Sequence, residues 1–294
     1  MQPGIKNALT VDVEDYFQVS AFEKYIPRSS WNDINCRVEH NTHRILDLFE
    51  EKNAVATFFV LGWVAERYPE LIRKMHNAGH EVASHGYEHV RVIHQSPEEF
   101  REDVVRTKDI LEDIVGDQVR GYRAASYSIG KDNLWAIEEL KLAGYEYSSS
   151  IYPIRHDLYG MPEAPRFSFY PLDDRGVLEI PVTTIEFMGK KFPCGGGGFF
   201  RFYPYSLSRW AIHHVNHKDK QPSVFYFHPW EIDPDQPRQK GLDLKTRFRH
   251  YLNLEHMETR LNRLLSDFEW DRMDKVFIDN KHESINQVTV EGIV

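Results

Sequence analysis

The chain has 294 residues, of which 41% are hydrophobic and 13% aromatic, so it can close a large core and is not a disordered or fibrous protein. Its formal net charge of −9 argues against a nucleic-acid partner, because such a field repels polyanions. Its two cysteines, Cys36 and Cys194, are too few for a disulfide framework or a thiolate metal site.

Strands and helices alternate along the first half of the chain. NALTVDV predicts a strand, and the apolar spacing of CRVEHNTHRILDLFEEKN predicts a helix that ends at Asn53. AVATFFVLG and EVASHG predict two further strands, with a helix between them that begins at Pro69 and ends before Gly79. The clearest helix follows, with Ser96 as N-cap and Glu99 three residues later. Short connections between alternating elements predict a parallel sheet.

The alternation of the first half ends with VRGYRAA, which predicts another strand, and KDNLWAIEELKLAGYEYSSSIYP, which predicts a helix and a strand. The second half is less regular. Pro, Gly and aromatic residues dominate 151–201 and predict short strands with an elaborate loop. Further along, PYSLSRWAIHHVNHK predicts a helix, PSVFYFHPWEI a buried strand, and DLKTRFRHYLNLEHMETRLNRLLSDF one long amphipathic helix. We expect a single domain over residues 1–278 and a tail over 279–294.

Four of the fifteen histidines lie within the stretch GHEVASHGYEHVRVIH. His85 and His89 follow a predicted strand with three residues between them, a spacing that lets two imidazoles bind one cation. We interpret His76, His80 and His94 as structural or surface histidines. The sequence therefore offers one histidine pair as a candidate metal site.

Three acids, Asp12, Glu14 and Asp15, lie at the end of the first predicted strand, in LTVDVEDYF. Ligands of parallel α/β folds bind outside the carboxyl ends of the strands, where this acidic loop and the histidine pair would meet. Two histidines and one carboxylate make a three-ligand site, which leaves positions for water and substrate and is typical of a hydrolytic metal. The alternative for the acidic loop alone is a solvated turn or a helix N-terminus.

The stretch ATFFVLGWVAERYPELIRKMHNAGHEVASHGYEH resembles the core of the NodB-homology polysaccharide deacetylases, with its strand ending, P-E-L, G-H-E and H-G-x-x-H motifs. DVEDYF, FHPWE and GGGGFFR further resemble the subgroup associated with bacterial exopolysaccharide and exosortase gene clusters. The resemblance implies an α/β fold, a distorted (β/α) barrel of about seven parallel strands.

The resemblance also implies a role for individual side chains. Asp12 corresponds to the general base, and Arg123 in GYRAASYS to the arginine that keeps this carboxylate ionised and fixed in direction. His228 in SVFYFHPWE corresponds to the general acid that protonates the leaving amine. His85 and His89 correspond to the metal-binding pair.

The third metal ligand is left open between two acids. A strand period of two puts Glu14 on the same side as Asp12, whereas a chain that already turns into the loop presents Asp15 instead. We expect a divalent metal, with zinc preferred because of the imidazole pair and cobalt, manganese or nickel as alternatives.

Two positions depart from the family pattern. Ala125 stands where the family usually has a proline, and Ser148 stands where an acid that orients His228 is expected, so that Ser148 or another carboxylate would take this role. The backbone around Tyr127 is the predicted oxyanion donor. Predicted substrate contacts, chosen from the aromatic loops and GGGGFFR, are Tyr127, Phe199, Arg201 and Trp230.

These features predict metal-dependent hydrolysis of an N-acetyl amide on an acetylamino sugar, in a bacterial polysaccharide or its precursor, which could be lipid-linked. One alternative is a hydrolase of small cyclic amides or imides, which would need a closed, compact pocket. The other is an inactive carbohydrate-binding relative. No signal peptide or membrane span is found in the sequence, so we expect a cytoplasmic protein or one peripheral to the inner membrane face. The sequence does not indicate an oligomeric state.

Overall fold

The computed structural model describes residues 4–157, 159–172 and 175–279. The strands assigned within those ranges are β1 (Asn7–Val13), β2 (Thr57–Val60), β3 (Glu81–Ser84), β4 (Gly121–Tyr122), β5 (Tyr147–Ser148), β6 (Leu178–Glu179), β7 (Thr184–Phe187), β8 (Lys190–Pro193), β9 (Val224–Phe227) and β10 (Trp270–Asp271). The α-helices are α1 (Val38–Lys52), α2 (Gly62–Arg67), α3 (Pro69–Asn77), α4 (Pro97–Val115), α5 (Trp135–Leu142), α6 (Gly197–Phe202), α7 (Tyr205–His214), α8 (Leu244–Tyr251) and α9 (Leu254–Asp267).

The main sheet is parallel and curled into part of a barrel. Seven strands follow the order β9-β1-β2-β3-β4-β5-β6, and each neighbouring pair is parallel. The short β10 also pairs with the start of β1, where Asn7 lies opposite Trp270. β7 and β8 form a separate antiparallel hairpin. The predicted α/β fold, a distorted barrel of about seven parallel strands, is confirmed.

Strand β1 lies between β2 and β9, and all seven of its residues are buried, as expected for a parallel strand covered on both faces. Because Val11 pairs with Phe227, the next residue on each strand, Asp12 and His228, come to lie side by side. His85 follows β3 and Arg123 follows β4 at the same edge. The carboxyl ends of four strands thus bring the predicted site together.

Helix ends follow the sequence signals at α1 and α4. The Ser96 hydroxyl accepts from the Glu99 backbone N–H at 3.2 Å, and the Glu99 carboxylate accepts from the Ser96 N–H at 2.8 Å, which confirms the predicted capping box. Asn53 ends α1 in the left-handed conformation, with φ 49°. α4 is the longest helix described, and no helix of the described ranges is both long and apolar enough to span a bilayer.

The prediction of one long C-terminal helix is wrong, because α8 and α9 are separate helices. Asn253 between them adopts a left-handed conformation with φ 51°, which asparagine tolerates better than most residues and which ends helical hydrogen bonding. Its side-chain amide donates to the Arg201 carbonyl oxygen at 2.8 Å. The single-domain assignment and the cytoplasmic location stay predictions. Except for Asp279, the predicted tail over 279–294 lies outside the described residues.

Candidate active site

Asp12 and Arg123 form a buried ion pair at the carboxyl end of the sheet. Arg123 Nη1 donates to Asp12 Oδ1 at 2.6 Å and to the Thr10 hydroxyl at 2.8 Å, while Nη2 donates to the Ser149 hydroxyl at 3.0 Å. The guanidinium carbon lies 4.0 Å from the centre of the Phe59 ring. Contacts from three strands or strand ends therefore fix the guanidinium, and the guanidinium fixes the direction of the Asp12 carboxylate.

Glu14, His85 and His89 form a buried cluster beside this pair. One ligand atom from each lies within 4.8 Å of the others, and Glu14 Oε2 is 3.1 Å from His89 Nε2. His85 Nδ1 lies 2.8 Å from the Arg123 carbonyl oxygen, which fits an Nδ1–H donor and leaves Nε2 free to bind a cation. The three side chains are 2–5% exposed.

The donor set of this cluster fits a divalent metal. Glu14 Oε2 is buried and forms no hydrogen bond with any described residue. Burial raises the pKa of Glu14 to about 7, and burial lowers the pKa of His85 and, further, that of His89. Both imidazoles are therefore neutral near pH 7, which is the form that binds metals, and a cation would compensate the buried carboxylate.

Asp15, the alternative third ligand, lies away from the cluster. Its Oδ2 accepts from the backbone N–H groups of Arg37 and Val38 at 2.6 and 2.8 Å, and its Oδ1 accepts from the N–H of Tyr16 at 2.8 Å. The carboxylate thus satisfies free N–H groups at the start of α1. The structure assigns Asp15 to helix capping and brings Glu14 to the histidines, as the strand period of two favours.

His228 faces both carboxylates of β1 and is oriented by Glu231. Its Nε2 lies 3.4 Å from Glu14 Oε1 and 3.9 Å from Asp12 Oδ2. Its Nδ1 lies 2.8 Å from Glu231 Oε1, and Glu231 Oε2 accepts from Arg201 Nε at 2.7 Å. The spacing of His and Glu in HPWE, three residues apart, is a sequence signal that would have predicted this contact.

Ser148, the position where the family pattern places the orienting acid, does not contact His228. The Ser148 hydroxyl is 2.7 Å from the Ser150 hydroxyl, within β5 and the loop that follows it. Glu231 follows the strand that also carries His228, so the same turn positions acid and imidazole. The imidazole of His228 is therefore oriented by a carboxylate, that of Glu231, and not by Ser148.

The charges around His228 favour its protonated form. Burial would lower the pKa of His228, but Glu14, Glu231 and Asp12 outweigh burial and raise this pKa to about 9. A cation held by Glu14 would offset the first of these carboxylates. Burial would likewise raise the pKa of Glu231, but Arg201 and His228 bring it below its usual value. Glu231 therefore stays ionised beneath the imidazole.

Trp230 and His250 pack the far side of His228. The Trp230 ring stacks on His228 with centroids 5.2 Å apart and an angle of 18° between the planes, and on His250 at 4.3 Å and 12°. Trp230 also lines the groove but is only 6% exposed, so its role as a substrate contact stays a prediction. No motif in the sequence pointed to His250.

Helix α6 separates its two predicted substrate contacts. Phe199 lines the groove, whereas Arg201 is 2% exposed and, besides Glu231, donates to the carbonyl oxygens of His250 and Leu252. Side chains two positions apart on an α-helix point to nearly opposite sides, so Phe199 and Arg201 cannot both face the substrate. The prediction for Arg201 is corrected: it binds Glu231 behind the site.

Three residues that line the groove have left-handed backbone conformations without being glycine: His89 (φ 53°), Ser126 (φ 51°) and Tyr127 (φ 50°). Such conformations cost energy and persist where the surroundings hold them. Arg28 donates to the His89 carbonyl oxygen at 3.1 Å, and the Ser126 hydroxyl lies 2.8 Å from that of Ser20. Contacts from the segment between β1 and α1 thus hold both loops.

The Tyr127 amide is not available as an oxyanion donor in this structure, because its N–H donates to the Ala124 carbonyl oxygen at 3.0 Å. Its ring lines the groove next to Tyr226, with centroids 5.0 Å apart. Its hydroxyl is buried and has no hydrogen-bond partner within the described ranges. Tyr127 therefore stays a candidate substrate contact through its side chain.

Asp12, Glu14, His85, His89 and His228 line one groove of about 1600 Å³, whereas Arg123 and Glu231 are buried behind them. Its walls come from the loops after β1, β3, β4 and β9, from the β7–β8 hairpin, and from α6 and α8. The aromatic side chains along its walls include Tyr159, Phe192, Phe199, Phe202, Tyr203 and Phe248. The groove exceeds the ~300–1,000 Å³ that small-molecule sites usually have, so it has room for an extended ligand.

Residues 29–148 match the family model "Polysaccharide deacetylase", and residues 149–278 match a domain of unknown function, DUF3473. The chain therefore carries a polysaccharide deacetylase domain over residues 29–148. Both matched segments contribute to the groove, since the first supplies His85 and His89 and the second supplies His228 and Phe199.

Curated members of the family resemble the first segment. A peptidoglycan-N-acetylglucosamine deacetylase of Bacillus cereus is 32% identical over 99 residues, which are 33% of this chain and 36% of that protein. A chitooligosaccharide deacetylase of Bradyrhizobium is 30% identical over 95 residues, 32% of this chain and 43% of that protein. The matches thus span less than half the length of these relatives.

Solved structures share the fold over most of the chain. A candidate polysaccharide deacetylase from Mycobacterium smegmatis superposes with a TM-score of 0.60 at 18% identity, covering 94% of this chain and 91% of that one. A CE4 family pseudoenzyme from Bacillus anthracis has a TM-score of 0.50 at 12% identity, covering 94% and 66%. At these identities the likeness concerns the fold alone, so activity must be argued from the site.

Proposed function

We propose that this chain is a metal-dependent hydrolase that removes N-acetyl groups from acetylamino sugars of a bacterial polysaccharide, such as an exopolysaccharide, or of its precursor. The observation that carries the proposal is the arrangement of three groups in one groove. A fixed carboxylate (Asp12) and an imidazole (His228) flank the buried cluster of Glu14, His85 and His89.

In this reaction Asp12 takes a proton from the attacking water through Oδ2, because Oδ1 is occupied by Arg123. His228 gives its Nε2 proton to the leaving amine nitrogen, since Glu231 keeps Nδ1 protonated and the ring directed at the groove. A divalent cation bound by Glu14, His85 and His89 would supply the Lewis acidity that polarises the acetyl carbonyl and the water. We propose zinc, given the two imidazole ligands, with cobalt, manganese or nickel as alternatives.

The size of the groove favours a sugar chain over the alternative substrate, a small cyclic amide or imide. About 1600 Å³ lined by aromatic side chains is more than a compact ligand needs, and aromatic rings suit stacking on sugar faces. The named activities of the Bacillus and Bradyrhizobium relatives also concern acetylated sugars. The alternative of an inactive binding protein rests on Ala125 and Ser148, neither of which forms a hydrogen bond with the Asp12 carboxylate or the His228 ring.

The test is acetate release from N-acetylhexosamine oligomers, with chelator and after adding zinc or cobalt back. Asp12→Asn should keep the metal and lower turnover by roughly two to four orders of magnitude, whereas His85→Ala should lose or weaken the metal as well as activity. Metal per chain, measured by elemental analysis, separates the two variants. Full activity after verified metal removal would refute the proposal, and loss of metal from Asp12→Asn with retention in His85→Ala would reverse the assigned roles.

A further inference from the structure

The surface around the groove is basic although the chain as a whole is acidic. The groove adjoins a second cavity, and the two share Phe248 and Leu252 in their walls. Apart from Asp12 and Glu14, the walls of the two cavities contain ten Lys or Arg residues and three Asp or Glu residues, an excess of seven positive charges. The whole chain has a net charge of −9, so positive charge is concentrated at this surface.

Part of this charge is not neutralised within the protein. Lys190, Lys240 and Arg247 form no ion pair with any residue in the described ranges, whereas Lys245 is paired with Asp157. Lys190 lines the groove on the β7–β8 hairpin, and Arg247 lines the second cavity on α8, a helix that also forms a wall of the groove. The cations are therefore presented on both sides of the opening.

Large apolar side chains are exposed on the same two elements. Met188 and Phe187 at the tip of the hairpin are 85% and 63% exposed, and Leu244 and Phe248 on α8 are 84% and 54% exposed. Leu244 and Phe248 are four residues apart and so share one face of the helix. Exposed apolar side chains of this size, grouped around an opening, mark a binding surface rather than ordinary surface composition.

We propose that this rim, formed by the β7–β8 hairpin and α8, docks on an anionic lipid bilayer with the groove opening toward the headgroups. Cations beside exposed Phe, Leu and Met side chains are the pattern of interfacial membrane binding, in which apolar groups enter the headgroup boundary and basic groups contact anionic lipids. A soluble anionic glycan would use the cations but would leave Met188 and Leu244 in water. Apolar exposure thus favours the bilayer over the polymer.

Docking in this orientation gives the groove access to a sugar carried by a membrane lipid. This extension rests on the proposed hydrolase function, but docking itself does not, because vesicle binding requires no turnover. Failure of the membrane proposal and failure of the hydrolase proposal are therefore separable.

The experiment is sedimentation of the full chain with vesicles of pure phosphatidylcholine and with vesicles of equal parts phosphatidylcholine and phosphatidylglycerol. We expect binding to the second and not to the first. Met188→Glu combined with Leu244→Glu should weaken this binding at least about tenfold, because both side chains would otherwise enter the interface. The matched control is Leu207→Glu with Trp210→Glu on α7, whose wild-type side chains are 42% and 50% exposed and lie on neither the β7–β8 hairpin nor α8.

All four substitutions are at exposed positions, so melting temperatures should stay near that of the wild type and confirm that the variants fold. Absence of binding to phosphatidylglycerol vesicles would overturn the proposal. Equal loss of binding in the rim variant and the α7 variant would also overturn it. Retention on an immobilised polyanion without vesicle binding would assign the rim to a soluble anionic polymer instead.

Discussion

Glu231→Gln should slow acetate release sharply while leaving the metal site intact. The Glu231 carboxylate uses one oxygen for His228 Nδ1, at 2.8 Å, and the other for Arg201 Nε, at 2.7 Å. Glutamine has a single carbonyl oxygen and cannot accept both. Arg201 is buried and also bound to main-chain carbonyl oxygens, so the amide oxygen should turn to the guanidinium and the NH₂ group to His228.

Facing an NH₂ donor, His228 must either accept at Nδ1 or rotate. Either change removes the protonated imidazole directed at the groove, so turnover should fall by roughly two to four orders of magnitude. Loss of a negative charge should also lower the pKa of His228, which Glu231 helps to raise to about 9. The alkaline limb of the activity profile should therefore move to lower pH. Loss of one charge-assisted hydrogen bond should lower the free energy of unfolding by about 1.5–3 kcal/mol.

The assay is kcat and KM for acetate release across pH, together with metal per chain and thermal unfolding. Glu255→Gln is the matched control, because that side chain is 60% exposed and distant in sequence from the motifs of the site. A Glu231→Gln enzyme with turnover within about threefold of wild type, or with an unchanged alkaline limb, would show that Glu231 does not position His228.

Three other substitutions test the packing around Glu231, a buried carboxyl group and a helix cap. Gly197→Ala would place a Cβ 2.2 Å from Glu231 Oε1, so we expect turnover and melting temperature to fall together; wild-type values for both would contradict the packing. Burial raises the pKa of Glu179 from 4.5 to about 7, so the folded state binds a proton that the unfolded state releases. The free energy of unfolding should thus fall by up to about 3 kcal/mol as the pH rises from 4.5 to about 7. In denaturant titrations, Glu179→Gln should make this free energy depend less on pH. Ser96→Ala should cost about 1 kcal/mol of stability without changing activity, and an activity loss would argue against a purely local role.

Local elements were predictable where a short stretch of sequence determines them. The Ser96 capping box and the left-handed Asn53 act within one turn of chain, and both occur as predicted. Asn253 carries a similar signal, but the apolar period continues from α8 into α9 and conceals the break. The hydrogen bond from Asn253 to the Arg201 carbonyl oxygen at this break is a tertiary contact, which the local sequence does not show.

The site was predictable in its residue types but not in all its partners. Asp12 lies at the end of β1, His85 and His228 follow β3 and β9, and strand ends in a parallel sheet meet at one edge. The order of the strands, which puts His228 beside Asp12, depends on β9 pairing with β1 across more than 200 residues. Glu231 was passed over because the family pattern directs attention to Ser148, and burial beside Arg201 cannot be read from the local sequence.

Arg123 serves the site through two chemically independent parts. Its guanidinium holds the Asp12 carboxylate, while its peptide carbonyl oxygen accepts from His85 and sets which imidazole nitrogen is free. Any amino acid at this position provides the carbonyl, but only arginine provides the planar fork of donors. A descendant that lost this side chain could keep an aligned cation site and yet have no oriented base. Intact metal-binding motifs in homologous sequences are therefore weaker evidence of turnover than the identity of this one residue.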